Sequence, residues 1–174
     1  MKIAVLGSSR SLSLAPFNEP AWEIWACSDG TVAIPRCELR FELHSIEFMR
    51  TEPRYKNGSA LDDYLEYIKS FPVYMQDRHP DFPHSLKYPK DEMVRKHGPF
   101  FFTSSIAWMM ALALERKPDE IGLWGVDMNA ADEYGHQRPG FHYFYEMATR
   151  AGVKVTLPPG NTLLDRPKWE GFDD

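Results

Sequence analysis

Residues 100–128 place a hydroxyl-rich turn, an apolar helix and an apolar strand end to end, and few folds accept that order. After Phe100-Phe101-Phe102 come Thr103, Ser104 and Ser105. Thr103 reads as an N-cap, and the two serines put hydroxyls and free backbone N–H groups at the positive end of a helix, where an anion is stabilised. Ile106, Met109, Met110 and Ala113 recur at helical spacing until Lys117-Pro118 stops the pattern. Residues 121–126 then read as a buried strand, whose Gly125-Val126-Asp127 end points at whatever the hydroxyl turn holds. The plainer alternative is an ordinary buried helix and central strand with Asp127 as a loop cap.

Other stretches repeat the pattern of an apolar strand ending in small polar residues. Residues 2–7 form a first strand that breaks into Gly7-Ser8-Ser9-Arg10-Ser11, a turn able to bring backbone N–H groups to a phosphate. It lacks the later glycines of a dinucleotide fingerprint and the Gly-Lys-Ser/Thr of a P-loop, so NAD or ATP binding of those kinds is not expected; a plain strand-to-helix turn is the alternative. Residues 22–27 read as strand two, ending at Ser28-Asp29-Gly30, and residues 39–44 as strand three. His44 is read first as a structural histidine, with acid/base chemistry as the other reading. Residues 50–58, with Pro53 and Asn57-Gly58, read as a loop, and Leu61, Tyr64, Leu65 and Ile68 as the buried stripe of a helix.

Residues 73–76 are a short strand candidate, and residues 77–89 a long irregular segment rich in proline. His79 and His84 with Asp77 and Asp81 fix no ligand geometry, and no metal is expected there. Residues 129–139 read as a polar loop over the carboxyl edge of the sheet. In it His136 can exchange a proton near neutral pH and Arg138 can grip a phosphate with two N–H bonds. A helix from 141 to 150 and a strand from 153 to 157 follow, then Pro158-Pro159-Gly160-Asn161-Thr162.

Continuously apolar strands alternating with helices argue for a single-domain, Rossmann-like α/β fold: a mostly parallel sheet with helices on both faces, over residues 1–164, with 165–174 as a C-terminal tail. Ligands on such sheets bind beyond the carboxyl ends of the strands, where residues 7–11, 27–29, 103–105, 125–129 and 160–162 are expected to meet. A net charge of −5 counts against generic nucleic-acid binding, and no apolar run is long enough for a membrane span. Two cysteines give no disulfide framework, and the first apolar run is too short for a signal peptide, so a cytoplasmic protein is expected. An aromatic content of 14% allows self-association into a homo-oligomer.

These motifs together resemble the bacterial sialyltransferases that use CMP-sialic acid. The resemblance lies in Gly7–Leu12, Cys27-Ser28, Thr103-Ser104-Ser105, Gly125-Val126-Asp127-Met128 and Pro159–Leu164, in that order. The chain is also similar to MptE-like 6-hydroxymethylpterin diphosphokinases and, in length and wording, to short phage-encoded proteins, which would place it in a host cytoplasm. The resemblance implies a nucleotide or nucleotide-sugar lying across Gly7, Ser8, Ser9, Arg10, Ser11, Ser28, Thr103, Ser104, Ser105 and Gly125 to Asp127, and the residues themselves add Arg138 and Asn161 as binding candidates. It implies no required cofactor, and His136 as general base with Tyr134 and Asp127 in the catalytic group. Ser28 stands where those enzymes carry asparagine, and most of their acceptor-covering insertion is missing. Three functions stay open: a transferase acting on a nucleotide-activated donor, with the acceptor unidentified; a nucleotide-binding protein that performs no chemistry; and a diphosphokinase, for which Mg²⁺ on Asp127 and Asp132 would be needed.

Overall fold

Short strands without a polar face need cover on both sides, and the fold supplies it. The computed structural model describes residues 1–53 and 60–173. Among them seven strands form one sheet in the order β5-β4-β3-β2-β1-β6-β7: β1 (Lys2–Leu6), β2 (Trp22–Cys27), β3 (Leu39–Phe41), β4 (Val73–Met75), β5 (Ser85–Lys87), β6 (Glu120–Trp124) and β7 (Lys154–Thr156). Every pairing is parallel, and β1 lies between β2 and β6, with Lys2 opposite both Trp22 and Glu120. The chain lays down strands outward from β1 to β5, then crosses back to set β6 on the other flank of β1. That reversal opens a crevice at the carboxyl ends of β1 and β6.

Residues alternate between two cores. Ile3, Val5, Trp25, Ile121 and Leu123 face helices α3 (Lys90–His97), α4 (Ser105–Glu115) and α6 (Arg138–Arg150). Ala4, Leu6, Trp22, Ile24 and Trp124 face the opposite way, against Leu12, Ala15, Phe17 and Ile34. There Trp22 and Trp124 meet edge to face, and a side chain at Gly122 would lie 2.3 Å from the Trp124 ring. Towards β4, that face is closed by α1 (Ile46–Thr51) and α2 (Ala60–Ile68), whose Met49, Leu61, Leu65 and Ile68 pack on Val73 and Met75. The expected apolar stripe of α2 is therefore core.

Several boundaries differ from expectation. Ser104, not Thr103, caps α4: its hydroxyl accepts the Ala107 amide at 3.1 Å. The polar stretch after β6 is two helices rather than a loop. Helix α5 (Ala131–His136) carries Asp132 and Glu133 in its first turn, and α6 opens at Arg138 with Pro139 in its first turn, where a missing N–H costs nothing. Residues 85–87 form an edge strand inside the segment read as irregular, because parallel ladder bonds to β4 require no apolar run. Of the loop expected at 50–58, residues 50 and 51 close α1, and residues 54–58, with Asn57-Gly58, lie outside the described residues. No helix among those described is long and apolar enough to cross a membrane.

Candidate functional site

The crevice at the carboxyl ends of β1 and β6 is a cleft of about 330 Å³. Gly7, Ser8 and Ser9 line it from β1, Cys27 and Ser28 from β2, Thr103 to Ile106 from the start of α4, and Gly125 to Met128 from β6. Two turns cross tightly at its base. The amides of Gly7 and Ser9 donate to the carbonyls of Trp124 and Gly125, both at 2.9 Å, and the Gly125 amide donates to Ser11 Oγ at 2.9 Å. A side chain on Gly125 would lie 2.1 Å from the Gly7 carbonyl oxygen, and Gly125 itself has φ +68°. Glycine at both positions is thus a condition for the strand ends to meet.

Ser28 sits at φ 68°, ψ 160°, a region nearly reserved to glycine. It is held there from below. The buried Arg40 donates to the Ser28 carbonyl at 3.0 Å and to Thr31 Oγ1 at 2.7 Å, and the Thr31 hydroxyl lies 2.8 Å from the same carbonyl. Across the cleft Ser104 caps α4, leaving the first-turn amides of Ser105 and Ile106 without partners within the helix. Two hydroxyls, Ser28 Oγ and Thr103 Oγ1, are buried without a hydrogen-bond partner among the described residues. Buried polar atoms are normally paired, so both are exceptions beside the cleft, and Thr103 Oγ1 packs towards Gly140 of α6.

Glu42 and His44, just past β3, close one side. The Glu42 carboxylate is buried, accepts Tyr64 Oη at 2.8 Å and meets His44 Nδ1 at 2.8 Å. Burial pushes the Tyr64 phenol upward, and the Glu42 charge adds to the effect. Burial likewise pushes the Cys27 thiol up to about 12, with Glu42 again contributing, so Cys27 is a packed thiol and not a nucleophile. Glu133 and Gln137 reach in from the α5 side. Charged groups on the lining are Glu42, Asp127, Glu133 and the titratable His44; neither lysine nor arginine lines the cleft among the described residues. Against these carboxylates the N-terminus of α4 contributes a positive partial charge.

The site residues expected from sequence divide into three sets. Gly7, Ser8, Ser9, Ser28, Thr103, Ser104, Ser105, Gly125 and Asp127 share the cleft. Arg10, Ser11 and Asn161 line a neighbouring groove of about 360 Å³, on which Ser9 and Asp127 also border. Asn161 is a turn staple: its Nδ2 donates to the Val126 carbonyl at 2.7 Å and its Oδ1 accepts the Leu163 amide at 2.9 Å. Tyr134, His136 and Arg138 stand off the cleft. Tyr134 and His136 are exposed on α5. Arg138 is buried, and its guanidinium goes to the carbonyls of Met128, Asp127 and Thr162 and to Asn129 Oδ1. It clamps the chain after β6 to the last turn instead of presenting a free fork to a phosphate. Of the other polar residues on the cleft, the sequence reads His44 as structural before acid/base, and Glu42, Glu133 and Gln137 are not among the expected site residues. For Glu42 and His44 the signal was their place at the carboxyl end of strand three, which stops at Phe41 instead of running through residue 44.

No protein-family model and no curated protein sequence matches the chain. Solved structures do. The sialyltransferase CstII from Campylobacter jejuni in complex with cytidine-5'-monophosphate superposes with a TM-score of 0.60 at 15% identity, over 93% of this chain and 81% of that one. The sialyltransferase CST-II in complex with a trisaccharide acceptor and CMP gives 0.60 at 13% identity, over 94% and 83%. An alpha-2,3-sialyltransferase from Campylobacter jejuni in apo form gives 0.55 at 14%, over 90% and 74%. What is shared is the fold: the parallel α/β architecture of these transferases, expected from the motif order, is the architecture of this chain.

Proposed function

We propose that this chain binds a nucleotide-activated sugar in the cleft between the ends of β1, β2, β6 and the start of α4, and transfers the sugar to a hydroxyl acceptor. One observation carries the reading. Ser8, Ser9, Ser28, Thr103 and the first turn of α4, with its unpaired amides, line a single hollow at the switch point of the sheet. A helix N-terminus worth roughly half a charge suits one phosphate. With Glu42, Asp127 and Glu133 nearby and no basic side chain on the lining, a sugar linked to a nucleoside monophosphate fits better than a di- or triphosphate. Likeness of fold to enzymes crystallised with CMP and with CMP-3FNeuAc supports the same choice. In the transfer, the phosphate leaves towards Ser105, where dipole and hydroxyls take up its charge as the sugar–phosphate bond breaks.

A second reading, nucleotide binding without chemistry, is favoured by the exposed positions of Tyr134 and His136 outside the cleft. Calorimetric titration with CMP tests what both share. Ser105→Asp keeps a residue favoured at a helix start while setting a carboxylate where the phosphate would lie. It is expected to weaken CMP by at least tenfold; equal affinity in the two proteins would remove the phosphate site from α4. Recovery of a CMP-sugar unchanged after prolonged incubation separates the second reading from the first.

A further inference from the structure

We infer that His44, held by Glu42, is the general base of this cleft and takes the proton of the acceptor hydroxyl, an assignment that rests on the transfer reading above. The geometry is that of an oriented imidazole. Glu42 leaves the sheet one residue after β3 with its side chain 3% exposed. Its Oε2 accepts Tyr64 Oη at 2.8 Å, and its Oε1 accepts the His44 backbone amide at 3.0 Å and lies 2.8 Å from His44 Nδ1. Those three contacts fix the carboxylate. The imidazole in turn lies flat on Phe48, with ring centroids 5.4 Å and planes 18° apart. A carboxylate at Nδ1 selects the neutral tautomer protonated there, which leaves the Nε2 lone pair free. Nε2 has no hydrogen bond among the described residues, and the side chain is 42% exposed.

His44 lines the same cleft as the first turn of α4, so a base and a phosphate site face one volume. The charged groups around it are Glu42 beneath, Asp127 from the turn after β6 and Glu133 from α5. Arg40 of β3 donates to Ser28 and Thr31, and Tyr64 of α2 donates to Glu42. In the step, Nε2 takes the acceptor proton as the acceptor oxygen bonds to the anomeric carbon. The bond from that carbon to the phosphate oxygen breaks, its electron pair leaves with the nucleoside monophosphate, and the imidazolium afterwards gives its proton to water. Glu42 touches no reacting atom and is a positioning residue.

Wild type, His44→Gln and Glu42→Gln are compared in three measurements: CMP affinity by calorimetry, CMP release from CMP-N-acetylneuraminic acid with lactose as acceptor, and two-bond proton–nitrogen spectra of the imidazoles. The expected wild-type spectrum has the His44 proton on Nδ1, and Glu42→Gln loses that preference. His44→Gln is expected to lower kcat by about 100-fold or more while KM and CMP affinity stay within about threefold. Glu42→Gln lowers kcat by a smaller factor, about tenfold, on the same split. Turnover preserved in His44→Gln, a wild-type proton on Nε2, or CMP binding without any release from the donor each overturns the base assignment and leaves nucleotide binding standing. A wild type with no affinity for CMP overturns the underlying reading as well.

Discussion

Ser28 holds a glycine-like backbone because two donors, Arg40 Nη2 and the Thr31 hydroxyl, are fixed on its carbonyl, and its own hydroxyl is buried without a partner among the described residues. Such a conformation costs on the order of 1–3 kcal/mol, part of which glycine would return through its greater unfolded-state freedom. Ser28→Gly is therefore expected to stabilise the fold by about 1 kcal/mol, a rise in melting temperature of roughly 2–4 °C for a chain of this size. The same change removes the hydroxyl of a cleft-lining residue, which the proposed nucleotide site engages, so CMP affinity should fall about fivefold. Thermal denaturation and calorimetry on one preparation check both signs, and a variant that gains stability without losing affinity would free Ser28 Oγ of any binding role. At this scale the sequence made the small polar ends of strands legible. It did not reveal Arg40, since a charged residue within a strand reads as exposed until its acceptors, Ser28 and Thr31, are known to lie beneath the adjoining strand end.

Strand β6 joins its neighbours by charge at the end of the sheet opposite the cleft. Glu120 lies between Lys2 of β1 and Lys154 of β7, each at 3.0 Å, and accepts the Thr156 hydroxyl. Burial pushes its carboxyl up, but the hydrogen bonds from Thr156, Lys154 and Lys2 outweigh that and bring it from 4.5 down to about 2. A folded-state value below the unfolded one stabilises fully above about pH 5, and the contribution is lost as the pH falls from 4.5 towards 2. The shift alone corresponds to about 3 kcal/mol; the solvent exposure of both lysines reduces this to about 2. Denaturant titrations should show Glu120→Gln losing that amount at pH 7, with a flatter acid limb and unchanged CMP affinity. An unaltered acid limb would remove Glu120 as the cause. Elements were legible where the local pattern was strong: residues 22–27 read as a strand and form β2. Strand β5 and helix α5 were not. The first is an edge strand held by its partner's ladder, and the second has no side-chain cap and includes Gly135 and His136.

Across the whole molecule, the cleft draws on four strand ends and a helix start separated by more than a hundred residues, so a ligand that binds it stabilises the folded chain as one unit. CMP at about one hundred times its Kd should add roughly 2.7 kcal/mol, moving the melting transition up by about 5–10 °C. A transition that stays in place at saturating CMP would contradict a site built from the assembled sheet. The sequence by itself determined the class of fold and the kind of residue at each strand end. Hydrophobic periodicity and turn chemistry are local, and they act before any strand has found its neighbour. Only the tertiary structure decided which ends share a hollow. It bound Arg138 to Thr162 and Asn161 to Val126, and brought Glu42 under Tyr64 with His44 at the rim. A polar side chain's role depends on which partner reaches it first, and here those partners lie about twenty or more residues away, across a strand order that no local pattern encodes.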